Sequence, residues 1–186
     1  FMVPGQTRSV AEDSTGRLWW GIQDSGPASL RYQSPEGPQS FRLPGVEWRG
    51  PNTIHFAQDG TLWVVCEAGV TWVRPEQLPG RKPLTVGQGD ESGFARLRRG
   101  VELPDSEPFG LVEDQEGTIW VGSRDRGIFR ICGGRVEVLD QSRGFPGKLA
   151  VPALVDESGA VWILSDTGII RHRRGRFELI GPDNGA

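Results

Sequence analysis

The chain has 186 residues, 27 of them glycine and 14 proline, with a formal net charge of −3 from 21 basic and 24 acidic side chains. Such a length holds one or two domains with a sizeable core, and the glycine and proline content excludes long helices. The mixed, slightly acidic charge gives no footprint for nucleic acid, and no window approaches the roughly 18 apolar residues of a membrane helix.

The chain opens at Phe1, in or just before a first strand, so a secretory leader is expected to have been removed or to belong to a longer parent. The first unit spans about 9–43. Val10 opens a short strand that ends at Asp13, and Asp-x-x-Gly then reverses the chain, with Gly16 taking the positive φ that other residues resist. Leu18-Trp19-Trp20 resumes as a second strand, Gly26 marks another turn, and Phe41-Arg42-Leu43 closes the unit.

The second unit, about 52–107, repeats the pattern with Ile54, Gly60, Trp63 and Gly69, but carries Ala57 at the place of the acid and Asp59 nearer the glycine. Its fourth strand is obscured by an insertion at 75–107, longer than ordinary connections. Either Pro83–Val86 or Ala95–Arg98 supplies it, and the second is preferred. The third unit, about 108–140, has Leu111, Asp114, Gly117, Trp120 and Gly127, then strands at Ile128–Ile131 and Arg135–Leu139. The fourth, about 151–180, has Ala153, Asp156, Gly159, Trp162 and Gly168, then strands at Ile169–His172 and Arg176–Ile180.

Trp19, Trp63, Trp120 and Trp162 thus superpose, each with a glycine three residues before it and an apolar residue on either side. Four antiparallel strands recurring about every 45 residues are the pattern of β-propeller blades. The expected fold is all-β, a single propeller domain of four blade-type repeats that forms part of a larger ring. The four tryptophans are expected to wedge against neighbouring blades, and Trp48, in an interblade connection, is a candidate ligand platform.

The pattern apolar-x-x-Asp-x-x-Gly-Thr-Ile-Trp-Val-Gly, followed by Arg-Gly-Ile-Phe-Arg, resembles the two-component regulator propeller repeat. Leu111 to Ile131 carries it best, Val10–Tyr32 and Ala153–Arg171 carry it well, and the second unit matches least, with Ala57, Val65 and Cys66 at expected Asp, Gly and Thr/Ser positions. The resemblance implies a sensor domain of a bacterial hybrid histidine kinase or related signalling protein. Such sensors are periplasmic or extracytoplasmic, often take oligosaccharides, signal through a membrane helix outside this sequence, and close rings of about seven blades. With four blades here, completion is expected from further blades in cis or from a second chain, a closed four-blade ring being the other possibility. Gly181 to Ala186 reads as the start of a connection to another blade.

Chain direction alternates within a blade, so the loops between strands two and three share one rim with the interblade connections. The ligand-binding candidates on that rim are Gln23, Asp24, Trp48, Arg49, Asn52, Glu67, Arg124, Asp125, Arg126 and Asp166. Convergent polar loops on a rigid scaffold are where binding concentrates, and Arg124 and Arg126 can fork onto a carboxylate or sugar hydroxyls. Asp13, Asp114 and Asp156 recur with the blades and read as turn formers. No catalytic motif is present, and no cofactor or metal is expected, because two scattered histidines and two scattered cysteines make no metal site. Cys66 and Cys132 are expected as separate buried thiols, an interblade bridge being the alternative. The reading is a non-enzymatic sensor for a small molecule or glycan. The alternatives are a lyase- or hydrolase-type enzyme with His55 as base, and an interaction scaffold.

Overall fold

A computed structural model describes residues 6–23, 29–41, 43, 53–79 and 94–181. These form four sheets, each of four antiparallel strands in sequence order. The first holds β1 (Gln6–Glu12), β2 (Leu18–Gln23), β3 (Ser29–Tyr32) and β4 (Gln39–Phe41). The second holds β5 (Thr53–Phe56), β6 (Leu62–Cys66), β7 (Gly69–Val73) and β8 (Phe94–Arg98). β9 (Pro108–Glu113), β10 (Ile119–Ser123), β11 (Ile128–Cys132) and β12 (Arg135–Leu139) make the third, and β13 (Ala150–Val155), β14 (Val161–Ser165), β15 (Gly168–Arg173) and β16 (Arg176–Ile180) the fourth. β8 contains Ala95–Arg98, the preferred of the two segments for the second blade's last strand, while Pro83–Val86 lies outside the described residues.

The chain divides into two compact units, Phe1–Arg98 and Arg99–Ala186, each holding two sheets. Both units join their sheets by the same rule. The face of the first sheet that bears the tryptophan packs on the face of the second sheet that does not.

In the first unit Trp19 is fully buried, stacked on Tyr32 at 4.9 Å, with Phe56 of the next sheet edge-on at 5.6 Å. Leu62, Val64, Cys66 and Val73 complete that core, and the Ser9 hydroxyl accepts the Ile54 amide at 2.9 Å. In the second unit His172 lies 4.7 Å from the Trp120 ring, and Val161, Ile163 and Ile170 close the core around it. Burying one such indole stabilises by about 2–3 kcal/mol.

Gly122 shows why a glycine follows Trp-Val in the repeat. A Cβ there would overlap the Ala150 carbonyl of β13, so the two sheets approach backbone to backbone. The ladder shifts register beside it, leaving Gly110 of β9 as the extra residue, at φ 66°.

The fourth blade departs from expectation in two ways. Trp162 is only half-buried, and Leu164, at the position of Gly122, is 49 % exposed, so the second strand is not covered on both faces. The side of the sheet bearing Trp162 also leaves Leu154 51 % and Ile169 43 % exposed. Ala153, aligned by spacing with Leu111, is the bulge residue of β13 and is exposed, because the register shift falls between Pro152 and Leu154. At the other end of the chain, the side of the first sheet opposite Trp19 exposes Val10 at 62 % and Leu18 at 44 %.

Both cysteines are free. Cys66 is buried as expected, and burial pushes its thiol up. Cys132 is exposed, because it ends β11 at the Gly133-Gly134 turn, where the sheet runs out. Among the described residues no helix is long and apolar enough to cross a membrane.

Candidate functional site

The recurring acid has two partners, of which the sequence reading identifies one. At Asp114, Oδ1 accepts the amides of Glu116 at 3.0 Å and Thr118 at 2.9 Å, closing the turn whose fourth residue, Gly117, sits at φ 78°. Oδ2 accepts the Trp120 indole N–H at 2.8 Å. Trp19 donates to Asp13 at 2.9 Å and Trp162 to Asp156 at 2.7 Å in the same way. One carboxylate therefore fixes both the turn and the rotamer of the indole six residues later. The constant spacing of six carried that signal.

Burial works against the charge on Asp13, yet hydrogen bonds from Thr15, Trp19 and Arg17 hold its carboxyl far below its ordinary value. Bonds from Ser158, Trp162 and Ala160 do the same at Asp156. The second blade, with Ala57, keeps the same backbone bond as the other turns, Gly60 N–H donating to the Ala57 carbonyl, while Asp59 Oδ1 accepts the Thr61 amide. Trp63 there stacks on Trp72 at 4.7 Å.

The opposite rim is built most fully in the second unit. The loop between β10 and β11 presents Arg124, Asp125 and Arg126, all exposed. Arg124 is held by Glu107 at 2.7 Å, and the buried Ser123 hydroxyl donates to the Gly127 carbonyl and accepts the Arg126 amide. Gly127 N–H donates to the Lys148 carbonyl at 2.8 Å, which sets that loop beside the approach to β13. Asp166, in the β14–β15 turn, accepts the amides of Lys148 at 2.9 Å and Leu149 at 3.1 Å, and the Lys148 amide leads in lowering its carboxyl.

Arg124, Asp125, Arg126, Lys148 and Asp166 are thus gathered on one rim. Arg124 and Asp166 are engaged in holding it, which leaves the Arg126 guanidinium, the Asp125 carboxylate and the Lys148 ammonium facing solvent. The arrangement can pair with carboxylate or hydroxyl groups of a ligand.

In the first unit Glu67 is exposed in the β6–β7 turn and Gln23 ends β2. Asp24, Trp48, Arg49 and Asn52 lie outside the described residues, as does the Gln23 side chain. His55 is half-buried on β5, paired across the ladder with Trp63. His172 is half-buried between Trp120 and Phe177, each 4.7 Å away, and burial pushes its imidazole down. Among the described residues no three His, Cys, Asp or Glu side chains gather as a metal site.

Residues 102–125 match the family described as two component regulator propeller. No curated protein sequence matches the chain. Among solved structures, a catalytically inactive virginiamycin B lyase from Staphylococcus aureus, solved with quinupristin, is similar at 16 % identity with a TM-score of 0.70. That likeness covers 97 % of this chain and 58 % of the lyase. The extracellular domain of a hybrid two component system from B. thetaiotaomicron is similar at 20 % identity and a TM-score of 0.66, over 90 % of this chain and 22 % of that one. PorZ, a surface component of the type-IX secretion system of Porphyromonas gingivalis, follows at 15 % identity and a TM-score of 0.64, over 97 % and 28 %. This chain therefore spans little more than half the lyase's length and about a quarter of the other two. The chain is a partial β-propeller of four blades, and it carries a two component regulator propeller repeat at residues 102–125.

Proposed function

We propose that this chain is the ligand-binding part of a sensor propeller in a bacterial two-component-type signalling protein, working without catalysis and outside the cytoplasm. Its ligand is a small molecule or glycan held on the rim of the second unit. The observation that carries the reading is the braced loop around Arg126, where Ser123, Glu107 and the Lys148 carbonyl fix the backbone and leave Arg126, Asp125 and Lys148 presented. Rigid placement of a few polar groups is what recognition of hydroxyl-rich ligands requires. The repeat match, and the extracellular two component domain among the structural neighbours, support the signalling context.

The test is a thermal-shift screen against neutral and acidic oligosaccharides and small carboxylates, followed by calorimetry on the hits. A ligand that raises Tm and binds at least about fivefold more weakly to Arg126→Ala and Lys148→Ala, as loss of 1 kcal/mol or more predicts, supports it. Silence across the panel, or binding indifferent to both substitutions, refutes it.

The exposed apolar residues of the first and fourth sheets support a second, compatible reading, in which further blades in the same chain or a second one cover those faces. Sedimentation of the isolated chain reads this directly, because a concentration-independent monomer argues against cover by a second copy.

A further inference from the structure

The hairpin joining β15 and β16 does something that its counterpart in the third blade does not. In the third blade the turn is Cys132-Gly133-Gly134-Arg135, with Cys132 opposite Arg135 and Gly133 at φ 54°. In the fourth it is Arg173-Arg174-Gly175-Arg176, with Arg173 directly opposite Arg176. Arg174 takes the left-handed conformation, φ 51°, which Gly133 fills at no steric cost. It is the one non-glycine residue with positive φ among the described residues.

Two local rules are therefore broken at one place. Like charges face each other across a ladder, and a long side chain occupies a glycine position. Backbone strain kept against such alternatives points to function, since the blade fold itself is satisfied by glycine at the matching turn one sheet earlier in the same unit.

The three arginines do not answer to protein carboxylates. Glu178, the nearest acid of the hairpin, is taken by Arg171 at 2.6 Å, and Arg171 also lies over the Trp162 ring at 5.9 Å. The side chains of Arg173, Arg174 and Arg176 are exposed and have no hydrogen-bond or ion-pair partner among the described residues. With Arg171 and Glu178 they line an open cavity of about 490 Å³. Four guanidiniums stand there against a single carboxylate, in a chain whose net charge is −3.

We propose that this cavity is a binding site for a multiply charged oxyanion, a phosphate or sulfate group, gripped by Arg173, Arg174 and Arg176. Guanidinium forks match the oxygens of such groups in pairs, and three of them around one concavity hold a dianion from several sides. Arg171, fixed by Glu178, walls the site and steers by charge alone. The site lies at the end of the fourth sheet away from Asp166, so it is separate from the rim assigned above and does not depend on it.

Pyrophosphate and sulfate, titrated by calorimetry against sodium chloride of matched ionic strength, test the site. Saturable binding is expected for the oxyanions and none for chloride. Arg174→Gly discriminates sharply. Relief of the left-handed strain should raise the Tm of the ligand-free protein, while affinity for pyrophosphate falls at least fivefold. Arg176→Gln should lower affinity by a similar factor with Tm unchanged or raised. Arg135→Gln, at the matching place in the third blade, should change neither. Co-sedimentation with phosphatidylcholine vesicles containing phosphatidylglycerol separates the two sources: sedimentation marks a lipid headgroup, and binding of pyrophosphate without sedimentation marks a soluble ester. Absence of saturation, or full affinity in both Arg174→Gly and Arg176→Gln, overturns the proposal.

Discussion

Asp13→Asn isolates the bond between the recurring acid and its indole. The carboxylate, 5 % exposed, accepts on Oδ1 from the Thr15 amide at 2.9 Å, the Thr15 hydroxyl at 2.6 Å and the Arg17 amide at 3.2 Å. Its Oδ2 accepts from the Trp19 indole at 2.9 Å and the Arg17 guanidinium at 2.8 Å. Asparagine keeps one acceptor oxygen. If that oxygen stays on the turn, the new NH2 faces two donors, and the Trp19 N–H, in a fully buried ring, has no water to turn to.

An orphaned buried donor costs about 1–3 kcal/mol, and the partly exposed Arg17 pair adds up to about 1 kcal/mol, giving a loss of about 1–4 kcal/mol. For a chain of this length that is a fall in Tm of about 2–16 °C. Urea unfolding at neutral pH reads the free energy, with Asp59→Asn as control, since Asp59 accepts the Thr61 amide and should lose about 0.5–1 kcal/mol. The folded carboxyl of Asp13 ionises below its unfolded value of 3.8, so its contribution is present above about pH 4 and is lost as pH falls below it. The gap between wild type and variant should close over that acid range. An Asp13→Asn protein as stable as wild type at pH 7, or a gap that persists at low pH, would refute the reasoning.

Other outcomes follow from the same geometry. Gly122→Ala forces a methyl against the Ala150 carbonyl, so a loss of about 1–3 kcal/mol or more is expected in chemical denaturation. His172 has its pKa lowered by burial first and by Arg130 second, against Asp114 and Glu137, so its neutral form is the folded one. Its share of stability is therefore lost as pH falls below its unfolded value of 6.5, and His172→Gln should flatten the stability profile between about pH 7.5 and 5.5. Thiol titration should find Cys132 reactive in the native protein and Cys66 reactive only on unfolding, and equal rates would contradict their placement.

Blade count, strand order and turns were legible because they rest on neighbours in sequence. Asp114, Gly117 and Trp120 fall within seven residues, and each meets its requirement locally. The last strand of the second blade was less legible, since both Pro83–Val86 and Ala95–Arg98 read as short strands, and β8 falls on the second. What the residues could not show depends on partners far away in the chain. Trp162 carries the same motif as Trp120, yet whether a sheet lies over it is decided outside the motif. Cys132 reads as strand, and its exposure follows from being a strand's last residue. Of the rim candidates, the direction of the β10–β11 loop placed Arg124 to Arg126 and Asp166 together. That Glu107 occupies Arg124 depends on the fold, since 17 residues separate the pair.

The second blade, which has Ala57 at the place of the acid, carries an optical label. Trp63 and Trp72 lie face to face with their planes inclined by 25°, close enough for their electronic transitions to couple. Both rings sit in the first unit, so a circular-dichroism couplet lost in Trp72→Phe would report on that half of the chain alone. Heating or diluting the protein while watching that band against total emission would show whether the two halves melt in step.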